Sequence, residues 1–258
     1  MPCRVVQAIA APVVLRQRRA RLREAALTEI RSIARRLLVK EGSAAVTINA
    51  VAREMGVSGP ALYRYYSSQG ELIDALTSDF FRELIAAMRA AADHPAADTP
   101  GRRLLAISRA LRSWANSHPA EFAWLFASRV PTSRIAQCSP NENNSGRAFC
   151  QVFLDQVVEI WETQRFPLPS LEDMDPSLAV QLHAYSEKID GLLPPEAAYI
   201  FLTCWTRLYG LLCMEVLNQI SFAYSDLEPV YEECLQELCR LLDIPYEPPR
   251  QAVDLAAE

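Results

Sequence analysis

Residues 47–76 read TINAVAREMGVSGPALYRYYSSQGELIDAL, and this stretch predicts two short helices joined by a tight turn. Thr47 can cap the first helix, because its hydroxyl can accept a hydrogen bond from a free amide of the first turn. Gly56 supplies the left-handed residue that ends this helix. Ser58 can cap the second helix, and Pro60 is tolerated in its first turn. Two short helices across a glycine-containing turn form a helix-turn-helix.

The apolar residues of this stretch predict which faces are buried. Ile48, Val51 and Met55 recur at helical spacing and form one buried face of the first helix. Leu62 and Tyr66 are four residues apart in the second helix and are expected to face the same small bundle. The other residues of the second helix are left for its outer surface: Gly59, Pro60, Ala61, Tyr63, Arg64 and Tyr65.

Residues 56–76, GVSGPALYRYYSSQGELIDAL, resemble the recognition helix and the following helix of the TetR family of bacterial transcriptional regulators. The family's pattern falls on Gly56, Leu62, Tyr63, Tyr65, Tyr66, Gln69, Glu71 and Leu72. Gln69 stands where a phosphate-binding Lys is usual, and Tyr65 replaces a frequent His. The resemblance is strong over residues 24–75.

This resemblance implies that double-stranded operator DNA is the partner. It assigns DNA contacts to Thr47, Asn49, Ser58, Gly59, Pro60, Ala61, Tyr63, Arg64, Tyr65 and Gln69. Chemistry agrees for Arg64, whose guanidinium can donate two hydrogen bonds to guanine O6 and N7. Packing of the tyrosines and a solvated surface charge at Arg64 are the alternatives.

The charge is distributed unevenly along the chain. Of its 258 residues, 26 are Lys or Arg and 31 are Asp or Glu, for a net charge of −5. Residues 1–70 contain 12 basic and 4 acidic residues, and residues 71–258 contain 14 and 27. A basic head on an acidic body favours binding of phosphate through the head alone.

The cysteines and apolar segments favour a reducing cytoplasm, and the resemblance to the TetR family implies a bacterial protein that associates with the nucleoid when it is bound to DNA. The seven cysteines include no C-x-x-C pair, which suits a reducing compartment. Their packing as small core residues or a role in redox sensing are both possible. No apolar run reaches the ~18 residues of a membrane span, so we expect no membrane partner.

Three segments are predicted. Residues 1–22 form a basic, flexible arm that either reaches DNA or adds only non-specific charge. Residues 23–70 form the DNA-binding domain, in which a first helix over about 23–40 braces the helix-turn-helix. Residues 71–258 form a helical domain for effector binding and dimerisation, beginning with a long helix from about residue 68.

The helical body resembles, more weakly, a subgroup of TetR-type ligand-binding domains. The subgroup carries Trp…His-Pro and Trp-x-x-x-His-Gly elements, found here as Trp114, His118 and Pro119 and as Trp205, Tyr209 and Gly210. Tyr209 departs from the usual His. Aromatic side chains can form a pocket for an apolar ligand or an ordinary core, and the candidates for the pocket are Trp114, Phe122, Phe126, Phe149, Phe153, Trp205 and Tyr209.

The sequence therefore predicts an all-α fold, with a three-helix helix-turn-helix bundle followed by a larger helical domain. The predicted function is that of a homodimeric repressor, released from a palindromic operator by an unknown small apolar or amphipathic effector. Residues 195–218 and 227–242 are expected to pair across the dimer axis. No catalytic, metal or cofactor motif is found. The alternatives are a regulator of the same fold controlled by a protein partner and, remotely, an enzyme.

Overall fold

Ten α-helices cover most of the residues that the computed structural model describes, which are 6–127 and 145–249, with side chains from residue 16 onward. The helices are α1 (Val6–Glu41), α2 (Ile48–Glu54), α3 (Gly59–Leu62), α4 (Gln69–Ala92), α5 (Pro100–Ser117), α6 (Pro119–Phe126), α7 (Ser145–Thr163), α8 (Pro176–Lys188), α9 (Pro195–Val216) and α10 (Glu228–Leu241). The described residues contain no strand, and the predicted all-α class is confirmed. The chain divides into two compact units, residues 1–79 and 80–258.

The first helix is longer than the sequence predicts. α1 begins at Val6 rather than near residue 23, so the segment predicted as a flexible arm is helical over most of its length. The side chains of residues 16–25 are all exposed, so burial does not hold this part of the helix in place. These ten residues are mostly Arg, Ala and Leu, which have high helix propensity, and this intrinsic preference favours a helix there.

Burial along the second half of α1 follows its apolar spacing. Ile30, Ala34 and Leu37 recur at helical spacing, which predicts one buried stripe, and all three are buried. Gly42 ends the helix with φ of +85°. Arg31 lies off this stripe and is predicted to be solvated, but it is partly buried, and its Nε donates to Oδ2 of Asp79 at 2.6 Å. The sequence could not reveal this contact, because Asp79 is 48 residues away in the chain.

The sequence predicts helix starts at Thr99-Pro100, Pro119 and Pro194-Pro195, and α5, α6 and α9 begin at these points. Thr99 caps α5 by accepting a hydrogen bond from the Arg102 amide at 3.3 Å, and Pro119 and Pro195 occupy first turns. The sequence did not predict α8. Its cap is Asp175, whose Oδ1 accepts a hydrogen bond from the Ser177 amide at 2.8 Å, and Pro176 follows in the first turn. That Asp-Pro start was a usable signal. The polar composition of residues 130–145 predicts a loop, and this segment lies almost wholly outside the described residues.

Arginines of α5 tie the second unit together. Successive turns of this helix send guanidinium groups to three different helices. The pairs are Arg103–Glu159 on α7, Arg109–Glu232 on α10 and Arg112–Glu215 on α9, at 2.6, 2.6 and 2.7 Å. Charge-assisted hydrogen bonds between several partners fix the relative positions of helices better than isolated surface pairs do.

The cysteines of α9 and α10 are core residues. Cys204 and Cys239 are buried free thiols. Burial raises the pKa of Cys204 to about 12 and that of Cys239 to about 11. Because the thiolate is the reactive form, these two side chains are chemically quiet and favour the packing interpretation over redox sensing.

One helix of the described residues, α9, is long and apolar enough to cross a membrane by length and composition. Only 39% of its most apolar window is buried inside the chain. Core helices of globular proteins often pass the same test, so this property alone does not indicate a membrane.

The Arg112–Glu215 pair provides a test of the α5 network. The two side chains are only 14% and 10% exposed, so Arg112→Met leaves a nearly buried carboxylate without its main partner. We expect a loss of about 3–5 kcal/mol in the free energy of unfolding, measured by urea denaturation.

Arg240→Met is the matched control, because Arg240 and Glu233 are 61% and 62% exposed. Its expected effect is below about 1 kcal/mol. Equal losses in the two variants would contradict the assigned role of Arg112.

Candidate functional site

The start of α2 is built as the sequence predicts. The Thr47 hydroxyl accepts a hydrogen bond from the Ala50 amide at 3.1 Å. Gly56 follows α2 with φ of +70°, a conformation that favours glycine. Both predictions, the cap and the left-handed stop, are confirmed, and together they fix the length of the first helix of the motif.

The second helix of the motif is shorter than predicted. α3 has one turn, Gly59–Leu62, and the chain continues through turns to Tyr66. The Tyr65 amide donates to the Leu62 carbonyl at 2.9 Å, an i→i+3 bond that tightens the chain. Ser58 occupies the cap position, but its hydroxyl makes no capping hydrogen bond, and in that respect the prediction was wrong.

Two residues anchor this element to its bundle. Leu62 is 1% exposed and Tyr66 is 4% exposed, which confirms the predicted inner face. The Tyr66 hydroxyl accepts a hydrogen bond from Arg31 Nη1 at 3.4 Å, and Arg31 also pairs with Asp79. The inner face is therefore held by contacts with α1, and Arg31 is held in turn by α4.

The residues between these anchors form the outer surface. Tyr63 is 51% exposed, and Pro60 and Arg64 are also exposed. Gly59, Ala61 and Tyr65 are half-buried. A large aromatic side chain left half in water beside a cation is a suitable partner for a phosphate backbone. The outer surface is thus the one the sequence predicts.

Gly59 has a structural role that the sequence did not reveal. A Cβ built on this residue would lie 3.0 Å from Oδ1 of Asn49. The first turns of α2 and α3 therefore approach so closely that a larger residue must displace the Asn49 side chain. This close approach brings Asn49 and Gly59, both predicted DNA contacts, into one patch.

Gln69 joins the start of α4 to the same region. Its Nε2 donates to the Val46 carbonyl at 3.1 Å, next to the cap residue Thr47. Nearby, the Ser68 hydroxyl accepts from the Glu71 amide at 3.2 Å, and Glu71 accepts from the Ser67 amide at 2.6 Å. This capping arrangement orients the first turn of α4.

Arg23 is a neighbour of the patch that the sequence analysis missed. Its guanidinium lies 5.8 Å from the centroid of the Tyr65 ring, within the range of a cation–π contact. Arg23 stands seven residues before the buried Ile30, on the same face of α1. That spacing was a signal that could have placed it beside the bundle.

Most of the predicted ligand-binding aromatics form one cluster in the second unit. Ring centroids are 4.8 Å apart for Phe122–Phe126, 5.4 Å for Phe126–Phe149, 5.9 Å for Phe149–Phe153, 5.4 Å for Phe153–Trp205 and 5.6 Å for Trp205–Tyr209. The rings come from α6, α7 and α9. Tertiary packing therefore joins residues that are far apart in the sequence.

Tyr209 closes one end of this cluster. Its hydroxyl donates to the Phe126 carbonyl at 3.0 Å, and its ring stacks on Trp205. Burial raises the pKa of Tyr209, so the hydroxyl remains a donor at neutral pH. Phe126 is the last residue of α6, and the hydrogen bond fixes that end of the helix against α9.

Trp114 lies in a separate arrangement with His118. Their rings stack at 5.0 Å. Trp114 Nε1 donates to Oε1 of Glu83 at 3.2 Å, and His118 Nε2 lies 3.3 Å from the same oxygen. The sequence paired Trp114 with His118 but gave no signal for Glu83, which is 31 residues from Trp114.

The space beside the aromatic cluster is small. A cavity of about 30 Å³ is lined by Phe153 and Trp205, with Cys204, Leu208 and other apolar residues of α5, α7, α9 and α10. This is about the volume of one water molecule, far below the 300–1,000 Å³ of typical ligand pockets. Among the described residues this cavity leaves no room for a metabolite, and five of the seven predicted ligand residues do not line it.

A second pocket of about 190 Å³ lies among α7, α8 and α9. Its lining includes Arg147, Lys188 and Phe201 and none of the predicted ligand residues. In the described part of the chain no group of His, Cys, Asp and Glu side chains could hold a metal ion.

Two family models match this chain. Residues 30–76 match the model described as bacterial regulatory proteins, tetR family, and residues 104–238 match the model described as tetracyclin repressor-like, C-terminal domain. The second match alone spans more than half of the chain. The two matched segments contain the helix-turn-helix patch and the aromatic cluster.

Known proteins agree with these matches. The HTH-type transcriptional regulators Rv1816 of Mycobacterium tuberculosis and Mb1846 of Mycobacterium bovis are each 38% identical over 109 residues, 42% of this chain. The chain spans 47%, about half, of the length of each of these relatives.

Solved structures resemble the whole fold. The crystal structure of the protein SCO4313 has a TM-score of 0.61 and 27% identity, covering 85% of this chain and 97% of its own. A regulatory protein of the tetR family from Rhodococcus RHA1 has a TM-score of 0.54 and 18% identity, covering 84% and 96%.

Arg64→Ala tests the outer surface of α3 and its turn. If Arg64 reads a base edge, the variant should lose about 1–3 kcal/mol of specific DNA-binding free energy and relax the preference at one base pair. Fluorescence anisotropy with a set of single-base operator variants measures both quantities.

Arg36→Ala removes an exposed charge from the outer side of α1 and serves as the control. A loss at Arg64 that is equal for every duplex would make this residue a phosphate contact instead. A loss no larger than that of Arg36→Ala would remove Arg64 from the interface.

Proposed function

This chain belongs to the TetR family of bacterial regulatory proteins, and from that premise we propose that it represses transcription as a homodimer bound to a palindromic operator. DNA-binding regulation of transcription is the function of the family. Because the family consists of regulators, the enzyme alternative falls away. The proposal adds the repressor role, the dimer, the operator symmetry and the effector.

The exposed patch around α3 carries the proposal. Leu62 and Tyr66 are buried while Tyr63 and Arg64 face solvent, so the donors that suit DNA lie on the free side of the element. The contacts Asn49–Gly59 and Gln69–Val46 bring the starts of α2 and α4 to this side. Helix N-termini present free amides that bind phosphate. We therefore propose that the ten residues predicted from the sequence, of which Thr47 is the first and Gln69 the last, contact the DNA.

The helices α9 and α10 are the proposed dimer interface. α9 is strongly apolar, yet less than half of its most apolar window is buried inside the chain. Met214 on α9 is 38% exposed, and Val230 and Cys234 on α10 are half-buried. A second copy related by a two-fold axis would cover this apolar surface with the same surface. The exposed apolar surface of α9 and α10 is thus used for dimerisation, and we propose that the dimer is cytoplasmic, where it can bind DNA.

Regulation by a small molecule follows from linkage. A ligand that binds better when the two DNA-binding units are wrongly spaced lowers operator affinity by that difference in affinity and no more. The aromatic cluster supplies an apolar environment whose polar group is the Tyr209 hydroxyl, which donates to the Phe126 carbonyl. We place an apolar or amphipathic effector there, and its entry requires the rings of Phe149, Phe153 and Trp205 to separate.

The small cavity favours a second candidate function. The space of about 30 Å³ beside the aromatic cluster holds no metabolite without rearrangement, which suits a regulator without a small-molecule effector at that place. A more open pocket of about 610 Å³ lies elsewhere in the same unit, between α4, α5 and the residues after α10. Without a small-molecule effector, a protein partner or DNA alone would set occupancy of the operator. The two candidates share the DNA-binding unit and differ only in the role of the aromatic cluster.

Selection from a random duplex pool tests the operator. A two-fold dimer should recover a palindrome whose half-sites are about 34–36 Å apart or a multiple of that distance. Affinity for the selected duplex should fall steeply as salt rises, because bound phosphates release counterions. If no sequence is enriched, the specific repressor is excluded for the protein in its isolated state.

A ligand screen read by thermal shift and tryptophan fluorescence tests the effector. A true effector should raise the melting temperature, change Trp205 emission and weaken operator binding, and DNA should weaken ligand binding by the same factor. Trp205→Phe should abolish the fluorescence change. Trp161→Phe is the control, because Trp161 packs on Phe166 outside the cluster.

The same screen separates the two candidates. An apolar compound that binds at Trp205 but leaves operator affinity unchanged would not be an effector. A screen without any binder, together with an operator complex released by a protein from the host bacterium, would support the second candidate.

A further inference from the structure

The extension of α1 carries a dense group of arginines that the proposed DNA contacts do not use. Arg16, Arg18, Arg19, Arg21 and Arg23 lie within eight residues, and all five are exposed. No acidic residue occurs between Arg16 and Arg23. A helical segment whose side chains are all exposed and whose charges are all positive is unlike a core element, and residues 16–23 are available to a partner.

These arginines divide between two faces of the helix. At 100° per residue, Arg16, Arg19 and Arg23 follow the i, i+3, i+7 spacing of one stripe. Arg23 stands seven residues before Ile30, so this stripe continues the line of α1 that is buried against α2 further along. Arg18 and Arg21 point to the opposite side. We call Arg16, Arg19 and Arg23 the arginine stripe.

The stripe begins at the edge of the DNA-binding patch. The Arg23 guanidinium lies over the Tyr65 ring at 5.8 Å, and Tyr65 follows the exposed Arg64. Within the described residues, Arg16 and Arg19 form no ion pair with a carboxylate. Arg23 lies close enough to Glu71 to add, after the hydrogen bonds from Ser67, to the lowering of the pKa of that carboxyl. The outer part of the stripe therefore keeps its positive charge available to a partner.

The geometry matches the backbone of a duplex. Seven residues separate Arg16 from Arg23, which corresponds to about 10 Å along a helix with a rise of 1.5 Å per residue. This distance equals about three base pairs at 3.4 Å each. A rigid row of guanidinium groups over that length can contact successive phosphates without reading a base.

We propose that the arginine stripe is a second DNA-binding surface, which clamps the phosphate backbone next to each half-site and extends the footprint by about three base pairs. It rests on the proposed function, because it needs the α3 patch to place the duplex. It adds affinity without sequence preference. The helical form matters, since it directs three of five arginines toward the DNA.

Two variants of equal charge test this surface. Arg16→Gln with Arg19→Gln removes two members of the stripe, while Arg18→Gln with Arg21→Gln removes two arginines from the opposite side. Glutamine retains helix propensity, and circular dichroism checks that helix content is unchanged. Arg23 is left in place so that its contact with Tyr65 persists.

Affinity and salt dependence are measured on two duplexes, one trimmed to the selected operator and one with flanks of several base pairs. The wild type should prefer the flanked duplex. The stripe variant should lose that preference, bind on the order of tenfold more weakly at low salt, and show a salt slope smaller by about 1.8 for each bound protomer. The opposite-side variant should keep the wild-type preference and slope.

Equal changes of affinity and salt slope in the two variants would contradict the proposal that the arginine stripe is a binding surface. The arginines would then add only a general attraction between charges. An unchanged preference for the flanked duplex in the stripe variant would contradict the proposal as well. The failure of the proposed function looks different, because then the wild type itself selects no operator. If the wild type binds DNA without selecting a sequence, the salt slopes of the two variants still show whether the arginine stripe contacts phosphates. If the wild type binds no DNA, the stripe proposal fails together with the proposed function.

Discussion

Burial of Leu62 and Tyr66 is the constraint on which the DNA-binding unit depends. With these two side chains against the bundle, the residues between them must face outward, because a one-turn helix and the turns after it have no other orientation. The hydrogen bond from Arg31 to Tyr66 and the pair of Arg31 with Asp79 hold that orientation from α1 and α4. An apolar contact thereby determines which polar groups meet the partner.

The second unit obeys a different constraint, the pairing of α5 arginines with carboxylates of neighbouring helices. Arg103, Arg109 and Arg112 each reach a different helix, so α5 cannot shift without disturbing α7, α9 and α10 together. The aromatic cluster shares α7 and α9 with this network and adds α6. A displacement of α7 or α9 therefore disturbs the ion pairs and the aromatic contacts at the same time.

Local signals explain the successes of the sequence. Thr47, Gly56 and Thr99 occupy positions whose backbone geometry favours their residue types, and the spacing of Ile30, Ala34 and Leu37 reports a buried face. The failures are equally specific. The α1 extension was mistaken for an arm, although its composition favours a helix. The Ser58 hydroxyl does not cap α3, and α8 was missed despite Asp175 and Pro176.

The sequence by itself determined the helical class, the helix-turn-helix and the residues of its outer surface, because caps, turns and helical spacing act within a few residues of one another. Only the tertiary structure decided that Glu83 meets Trp114, that Asn49 crowds Gly59, and that the aromatic cluster leaves a cavity of about 30 Å³. These outcomes depend on how side chains from distant segments share space. The volume left between packed helices is set by their mutual positions, which no local pattern encodes.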